Sequence, residues 1–178
     1  MMKIIAYSLA AMLGLFSPSL LAESSEYQIE LIVFSQKMHN TEVFDQTSRS
    51  IHWPSDLTEL SAYRQPENTT LDDRYAALSK DSAYRPILSA AWVQPVAAVG
   101  LSAAVHIQSS DGNLNGYVRM QQDKGLQMVV DLELGSDLGD DSGNEVVYRL
   151  NEKRPINPGE TYYLDHPKFG VVAKVSPL

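Results

Sequence analysis

The densest gathering of reactive side-chain types lies near the end of the chain, in Tyr162-Tyr163-Leu164-Asp165-His166-Pro167-Lys168-Phe169-Gly170-Val171-Val172. A carboxylate beside an imidazole is the beginning of a general-base pair, because the acid can orient the ring and stabilise its protonated form. Neighbours on an extended chain point to opposite faces, however, so Asp165 and His166 do not naturally bond each other. The expectation is a structural corner. Asp165 accepts backbone N–H bonds in a turn, His166 bonds a strand carbonyl or a nearby arginine, and Pro167 and Gly170 fix the bend that places the final strand.

Other catalytic patterns are missing from the sequence. No Ser is followed three residues later by Lys, and there is no G-x-S-x-G elbow, no H-E-x-x-H pair and no Walker loop. His39, His52, His106 and His166 are scattered, with no two at metal-ligand spacing. Asp137, Asp140, Asp141 and Asn144 fall in a Gly-rich stretch whose spacing does not fit a calcium loop. No metal or cofactor is expected. What remains is a surplus of aromatic and basic residues. Trp53, Tyr117, Tyr162 and Tyr163 can stack on sugar rings, while Arg119, Arg154 and Lys168 can meet carboxylates, Arg bidentately. These seven are the candidate ligand contacts, suited to an amino-sugar polymer carrying acidic peptides. The plainer reading of Trp53 is that it pins its loop to the core. Trp92 and Phe169 are expected buried, with Tyr117 or Tyr162 more exposed.

The elements that must position these residues are mostly strands. Tyr27 to Phe34 puts Tyr27, Ile29, Leu31 and Val33 on one face and Ile32 and Phe34 on the other, which predicts a central strand covered on both sides. Glu30 inside it reads as a charge paired with an arginine or placed at the sheet margin. Gln36 to Thr70 is polar and irregular, a candidate functional surface. Leu71 to Lys80 reads as the main helix, with Thr70 as N-cap, Asp72 and Asp73 in the first turn, Lys80 in the last, and Tyr75 in the core. Pro86 and Pro95 bracket a segment that is helix or buried strand, strand being preferred with Leu88, Ala90 and Trp92 on one face. Val105 to Gln108 is a short strand. Leu114, Gly116, Val118 and Met120 alternate with polar residues, as do Leu126, Met128, Val130, Leu132 and Leu134, which predicts a hairpin with Gly125 at positive φ in its turn. A strand from Glu145 to Leu150, an Asn157-Pro158-Gly159 type II turn, and strands over Glu160 to Leu164 and Phe169 to Val175 complete the chain. The predicted fold class is α+β: a mainly antiparallel sheet, one main helix and a long polar loop after the first strand.

Residues 1–22 read as a secretory signal peptide: Lys3, then an apolar run from Ile4 to Phe16, then a break at Ser17-Pro18-Ser19 and cleavage near Ala22. That leaves 23–178 as a single exported domain with no segment to insert in a membrane, and it places the protein in the periplasm. The chain has no Cys, so thiol catalysis and Cys-ligated zinc are excluded, and an exported fold must rest on packing alone. The net charge of −8, more negative once Lys3 leaves, lacks the basic footprint of a nucleic-acid binder.

Four segments, in the same order and spread over nearly the whole exported chain, are similar to a known pattern. They are Tyr27 to Phe34, Ala91-Trp92-Val93-Gln94-Pro95, Leu114-Asn115-Gly116-Tyr117-Val118 and Tyr162 to Gly170. The chain resembles the CsiV-type peptidoglycan-binding family of small periplasmic proteins from γ-proteobacteria. Val93 stands where that pattern often has a basic residue, and Lys153-Arg154 where it often has two arginines. The resemblance implies a non-enzymatic protein that binds peptidoglycan and supports cell-wall synthesis through the lipoprotein activator of a class A penicillin-binding protein. The competing readings are a protein–protein adaptor of the envelope without glycan affinity, docking through the long loop or sheet edges, and a wall hydrolase using scattered acids such as Glu30 or Asp165.

Overall fold

The structure, a computed structural model, describes residues 24–37, 51–135 and 147–178. The predicted signal peptide, His39 and the acidic Gly-rich stretch lie outside the described residues. The α+β class is observed. Two sheets close on a shared core, and one helix lies on the far side of the first sheet.

The first sheet has the order β3-β1-β10-β9 and is antiparallel throughout, built from β1 (Ser24–Gln36), β3 (Tyr84–Ala97), β9 (Thr161–His166) and β10 (Phe169–Pro177). The central position predicted for the first strand is correct. Ile29, Leu31 and Val33 enter the main core, while Ile32 and Phe34 form a second cluster with Leu71 under helix α1 (Asp72–Lys80). The Pro-bracketed segment is a strand, as preferred, but it runs through both prolines. It can do so because β3 is an edge strand, where a missing N–H costs no ladder bond. The register shifts where Phe34 faces Pro86, between it and the Val33–Leu88 pair.

The second sheet has the order β2-β5-β6-β7-β8, with β4 (Gly100–Leu101) also pairing to β6. Its strands are β2 (Leu57–Glu59), β5 (Ala104–Gln108), β6 (Leu114–Gln122), β7 (Leu126–Gly135) and β8 (Val147–Pro155). The predicted hairpin is β6–β7: Leu114, Val118, Met120, Met128, Val130 and Leu132 are fully buried on the face turned to the first sheet. Trp92 and Phe169 are fully buried as expected, and the Trp92 indole N–H donates to Gln94 Oε1 at 3.0 Å. The type II turn forms, with Gly159 at φ +88° and Glu160 N–H donating to Asn157 O.

Several expectations are corrected. The polar stretch after the first strand is not structureless where it is described: β2 pairs parallel to β5, and Arg64 bridges Val93. β8 runs on to Pro155, past the predicted end at Leu150, and so includes Lys153 and Arg154. Gly125 does not adopt positive φ. Its three-residue loop closes with a bond from Asp123 N–H to Gly125 O instead. Tyr75 is not core but 41% exposed; Leu71, just before α1, and Leu78 pack with Ile32 and Phe34 instead. Thr70 does not cap the helix. The Glu30 carboxylate does so from β1, accepting from Thr70 N–H at 2.6 Å and Leu71 N–H at 3.0 Å, and among the described residues it pairs with no arginine.

Candidate functional site

Three of the seven candidates, Trp53, Tyr117 and Arg119, gather on the outer face of the second sheet. Side chains alternate across a strand, so every inward-facing core residue sends its neighbours outward. The ladders place Glu59, His106, Tyr117, Asp131 and Asn151 in one row across β2, β5, β6, β7 and β8. Trp53, just before β2, folds over this row. Its ring meets His106 edge-on at 5.6 Å between centroids and Tyr117 at a tilt, 6.5 Å away. Trp53 is therefore not pinned in the core: it is 46% exposed and forms an aromatic corner with His106 and Tyr117 on the surface.

Ion pairs hold that corner. Arg119 pairs with Asp56, three residues after Trp53, and so fixes the segment that carries the indole. Arg149 grips Asp131 bidentately, Nε to Oδ1 and Nη2 to Oδ2, both at 2.8 Å. Such forked pairs are strong and directional. The Asp131 bond raises the Arg149 pKa further, while burial, and after it the Asp131 charge, raises that of the Tyr117 phenol. Tyr117 thus presents a neutral hydroxyl. The His106 Nδ1 faces the Glu59 carboxylate at 3.0 Å and its Nε2 faces Asn115 Oδ1 at 2.8 Å, which fixes the plane of the ring. The face as a whole is aromatic at one corner and charge-paired beside it. Its arginines are committed to internal carboxylates rather than waiting for acidic peptides.

The remaining candidates lie elsewhere. Tyr162 packs against the main core, and its hydroxyl donates to Glu160 and accepts from Asn157 N–H in the type II turn. Arg154 donates to the Tyr163 carbonyl at 2.7 Å and pairs with Glu152, so it ties β8 to β9. Lys168 lies 6.0 Å from the Tyr148 ring centre in the β9–β10 turn. Tyr163 is on the outer face of the first sheet, away from Trp53, stacked on Phe34 with ring centres 6.0 Å apart.

The Asp165-His166 pair diverges as strand geometry demands. Asp165 does not take turn N–H groups: its Oδ1 accepts from the Tyr163 hydroxyl at 2.9 Å and from Gln36 Nε2. The His166 Nδ1 accepts from Lys168 N–H across a two-residue hairpin loop, and its ring lies against Tyr148 and Phe169. Pro167 sits in that loop. Gly170 makes no bend, since its φ is not positive; it makes room, because a Cβ there would lie 2.7 Å from Phe34 Cζ and 3.0 Å from Tyr163.

Burial lowers the His166 pKa from 6.5, with the nearby Asp165 opposing and Lys168 adding to the shift. The unfolded chain then binds this proton more readily, so the contribution is present above the ordinary value and is lost as pH falls through it towards the folded value. The urea midpoint of the wild type is expected to fall between pH 7.5 and 5.5. The fall should be shallower in His166→Asn, whose side-chain oxygen can replace Nδ1; equal slopes would refute the assignment.

Sequence reasoning named Trp53, Tyr117 and Arg119 but missed His106, Asp56 and Asp131 as their partners. The period-2 pattern of β5 was the available signal for His106. Asp56 gave none, since its pairing depends on a three-residue parallel strand.

The surface corner of aromatic rings braced by paired charges lies on the outer face of a two-sheet sandwich. Among the described residues no group of three or more His, Asp or Glu is arranged to hold a metal ion, and no helix is long and apolar enough to cross a membrane. The model of the CsiV family, peptidoglycan-binding proteins, matches residues 55–178, and the chain belongs to that family. The match takes in every element after β1 and begins two residues beyond Trp53. The membership points to the cell envelope. Comparison with curated proteins and with solved structures gives no match.

Proposed function

We propose that the protein is a non-enzymatic periplasmic peptidoglycan-binding factor that supports cell-wall synthesis, and that it holds the glycan on the Trp53–His106–Tyr117 corner. The observation that carries the reading is that corner: a half-exposed indole packed against two further rings and fixed by Arg119–Asp56, in a member of a peptidoglycan-binding family. An aromatic body with a polar tip suits the apolar face and hydroxyl edge of a sugar ring. The divergence of Asp165 and His166 supports a non-catalytic role. The link to the lipoprotein activator of a class A penicillin-binding protein rests on the family resemblance alone. It would work by tethering: modest affinity for a repeating polymer becomes strong retention when a partner is held to it.

Co-sedimentation with insoluble sacculi tests the wall-binding claim. The exported protein should pellet, and Trp53→Ala with Tyr117→Leu should weaken binding about tenfold, the loss expected from ~1.4 kcal/mol of stacking. Wild-type protein left in the supernatant would sink the reading. Binding of purified activator without sacculi, unchanged in the same variant, would support the tether; no binding would remove that partner.

A further inference from the structure

On the opposite side of the molecule, α1 covers only part of the outer face of the first sheet. Beside it lies a groove of about 400 Å³ lined by Phe34, Leu78, Tyr84, Tyr163 and Val172, with Arg74 and Asp81 of the helix side at its rim. Its floor is built to hold one ring still. Phe34 is fully buried and meets Tyr84 edge-on at 5.4 Å, and Tyr163 lies nearly parallel on Phe34, with 18° between the planes. Gly170 leaves the space that this stack fills. The Tyr163 hydroxyl is tied to Asp165, which Gln36 holds in turn. Burial, and after it the Asp165 bond, raises the phenol pKa, so the hydroxyl stays a donor. Yet Tyr163 remains 44% exposed. Five residues thus immobilise an aromatic ring that the fold does not bury. A ring needed only for packing would be covered; a fixed ring at the surface is preorganised for a flat partner.

The polar groups at the margin indicate which partner. Asp81 uses Oδ1 to accept Ala83 N–H, which leaves its second oxygen as an acceptor. Arg74, on the exposed helix surface, makes no bond to another described residue, so its donors are free. An apolar floor with a donor and an acceptor at its rim matches a pyranose with hydroxyl and acetamido substituents better than an apolar protein helix, which would leave those groups unpaired. We propose that the Tyr163 groove is a second saccharide subsite, taking an N-acetylated amino sugar of the glycan strand. The inference rests on the glycan-binding reading above. With the Trp53 corner on the opposite face, it makes the protein two-sided, able to hold two strands at once and to gain retention from both.

The test uses the exported protein and soluble peptidoglycan strands stripped of their peptides, with affinity measured by calorimetry. Tyr163→Leu keeps an apolar cover over Phe34 and removes the flat ring; Arg74→Ala removes a side chain without structural bonds. Each should weaken binding about fivefold in a Trp53→Ala, Tyr117→Leu background, Arg74→Ala with the thermal midpoint unchanged, and wild type alone should sediment mixed strands as bridged complexes. Unchanged affinity in both variants overturns the second subsite and leaves the first intact. A loss confined to a purified envelope protein partner also overturns it, in favour of a docking groove. Absence of strand binding by the wild type defeats the underlying reading instead.

Discussion

Gly116→Ala is expected to destabilise the domain by about 4 kcal/mol, enough to leave little folded protein if the starting stability is typical. Gly116 is in the middle of β6, facing the shared core between Ile107 and Leu132. Its φ is +154°, and a Cβ there would lie inside the envelope of the Asp131 carbonyl oxygen and 2.7 Å from Leu132 Cα. Both obstacles are backbone atoms of the neighbouring strand. No rotamer change relieves them, so the β6–β7 ladder itself must separate. That ladder also sets Tyr117 opposite Asp131, so the damage extends to the aromatic corner on the other face. Gly125→Ala is the control: a Cβ there meets nothing within 4 Å and the backbone is not left-handed, so little change is expected. Urea unfolding of both variants decides the matter. A Gly116→Ala midpoint close to that of wild type would show that the strands can move apart without penalty.

The contrast between these two glycines shows what is legible in the sequence. Gly125 stands at a recognisable hairpin turn, which predicts a positive φ, yet the loop closes without one. Gly116 stood in an alternating pattern that placed it in a strand correctly, but its role is room for another strand's backbone, which local pattern does not contain. Gly170 repeats the lesson: its place beside Pro167 suggested a bend, and its function is space for Phe34 and Tyr163. Alternation found the strands because burial on one face imposes a period of two wherever a sheet covers a core. It could not find β2, three residues inside a polar run, nor the pairing of Asp56 with Arg119 that β2 makes possible.

The candidate contacts divide for a related reason. Residue type alone grouped Trp53, Tyr117, Tyr162 and Tyr163, yet strand parity sends Tyr117 and Tyr163 to opposite outer faces and Tyr162 to the core. Arg119 and Arg154 read from the sequence as carboxylate ligands, and the fold commits both to its own acceptors.

Glu30→Ala is expected to cost about 3 kcal/mol, and Glu30→Gln a smaller part of it. Glu30 is 2% exposed, on the outer face of β1, opposite Ala91, with Lys174 across the β10 ladder. Its carboxylate accepts from Thr70 N–H, Leu71 N–H, the Thr70 hydroxyl at 2.8 Å and Gln28 Nε2 at 3.0 Å. A helix start needs acceptors for its first N–H groups and favours negative charge there. Here a strand supplies both, because the Leu71 N-cap position has no side-chain acceptor. Removing the carboxylate strands two backbone donors and frees the helix at the end where Leu71 anchors it. Gln keeps one acceptor oxygen and loses the charge. Hydrogen exchange over 70–80 should accelerate more than exchange in β6 and β7, since only the former depends on the cap. Because α1 carries Arg74 and one wall of the Tyr163 groove, the same variant should weaken saccharide binding there while the Trp53 corner keeps its affinity. Equal loss at both faces would mean that the domain unfolds as one unit and that Glu30 has no separate role in seating the helix.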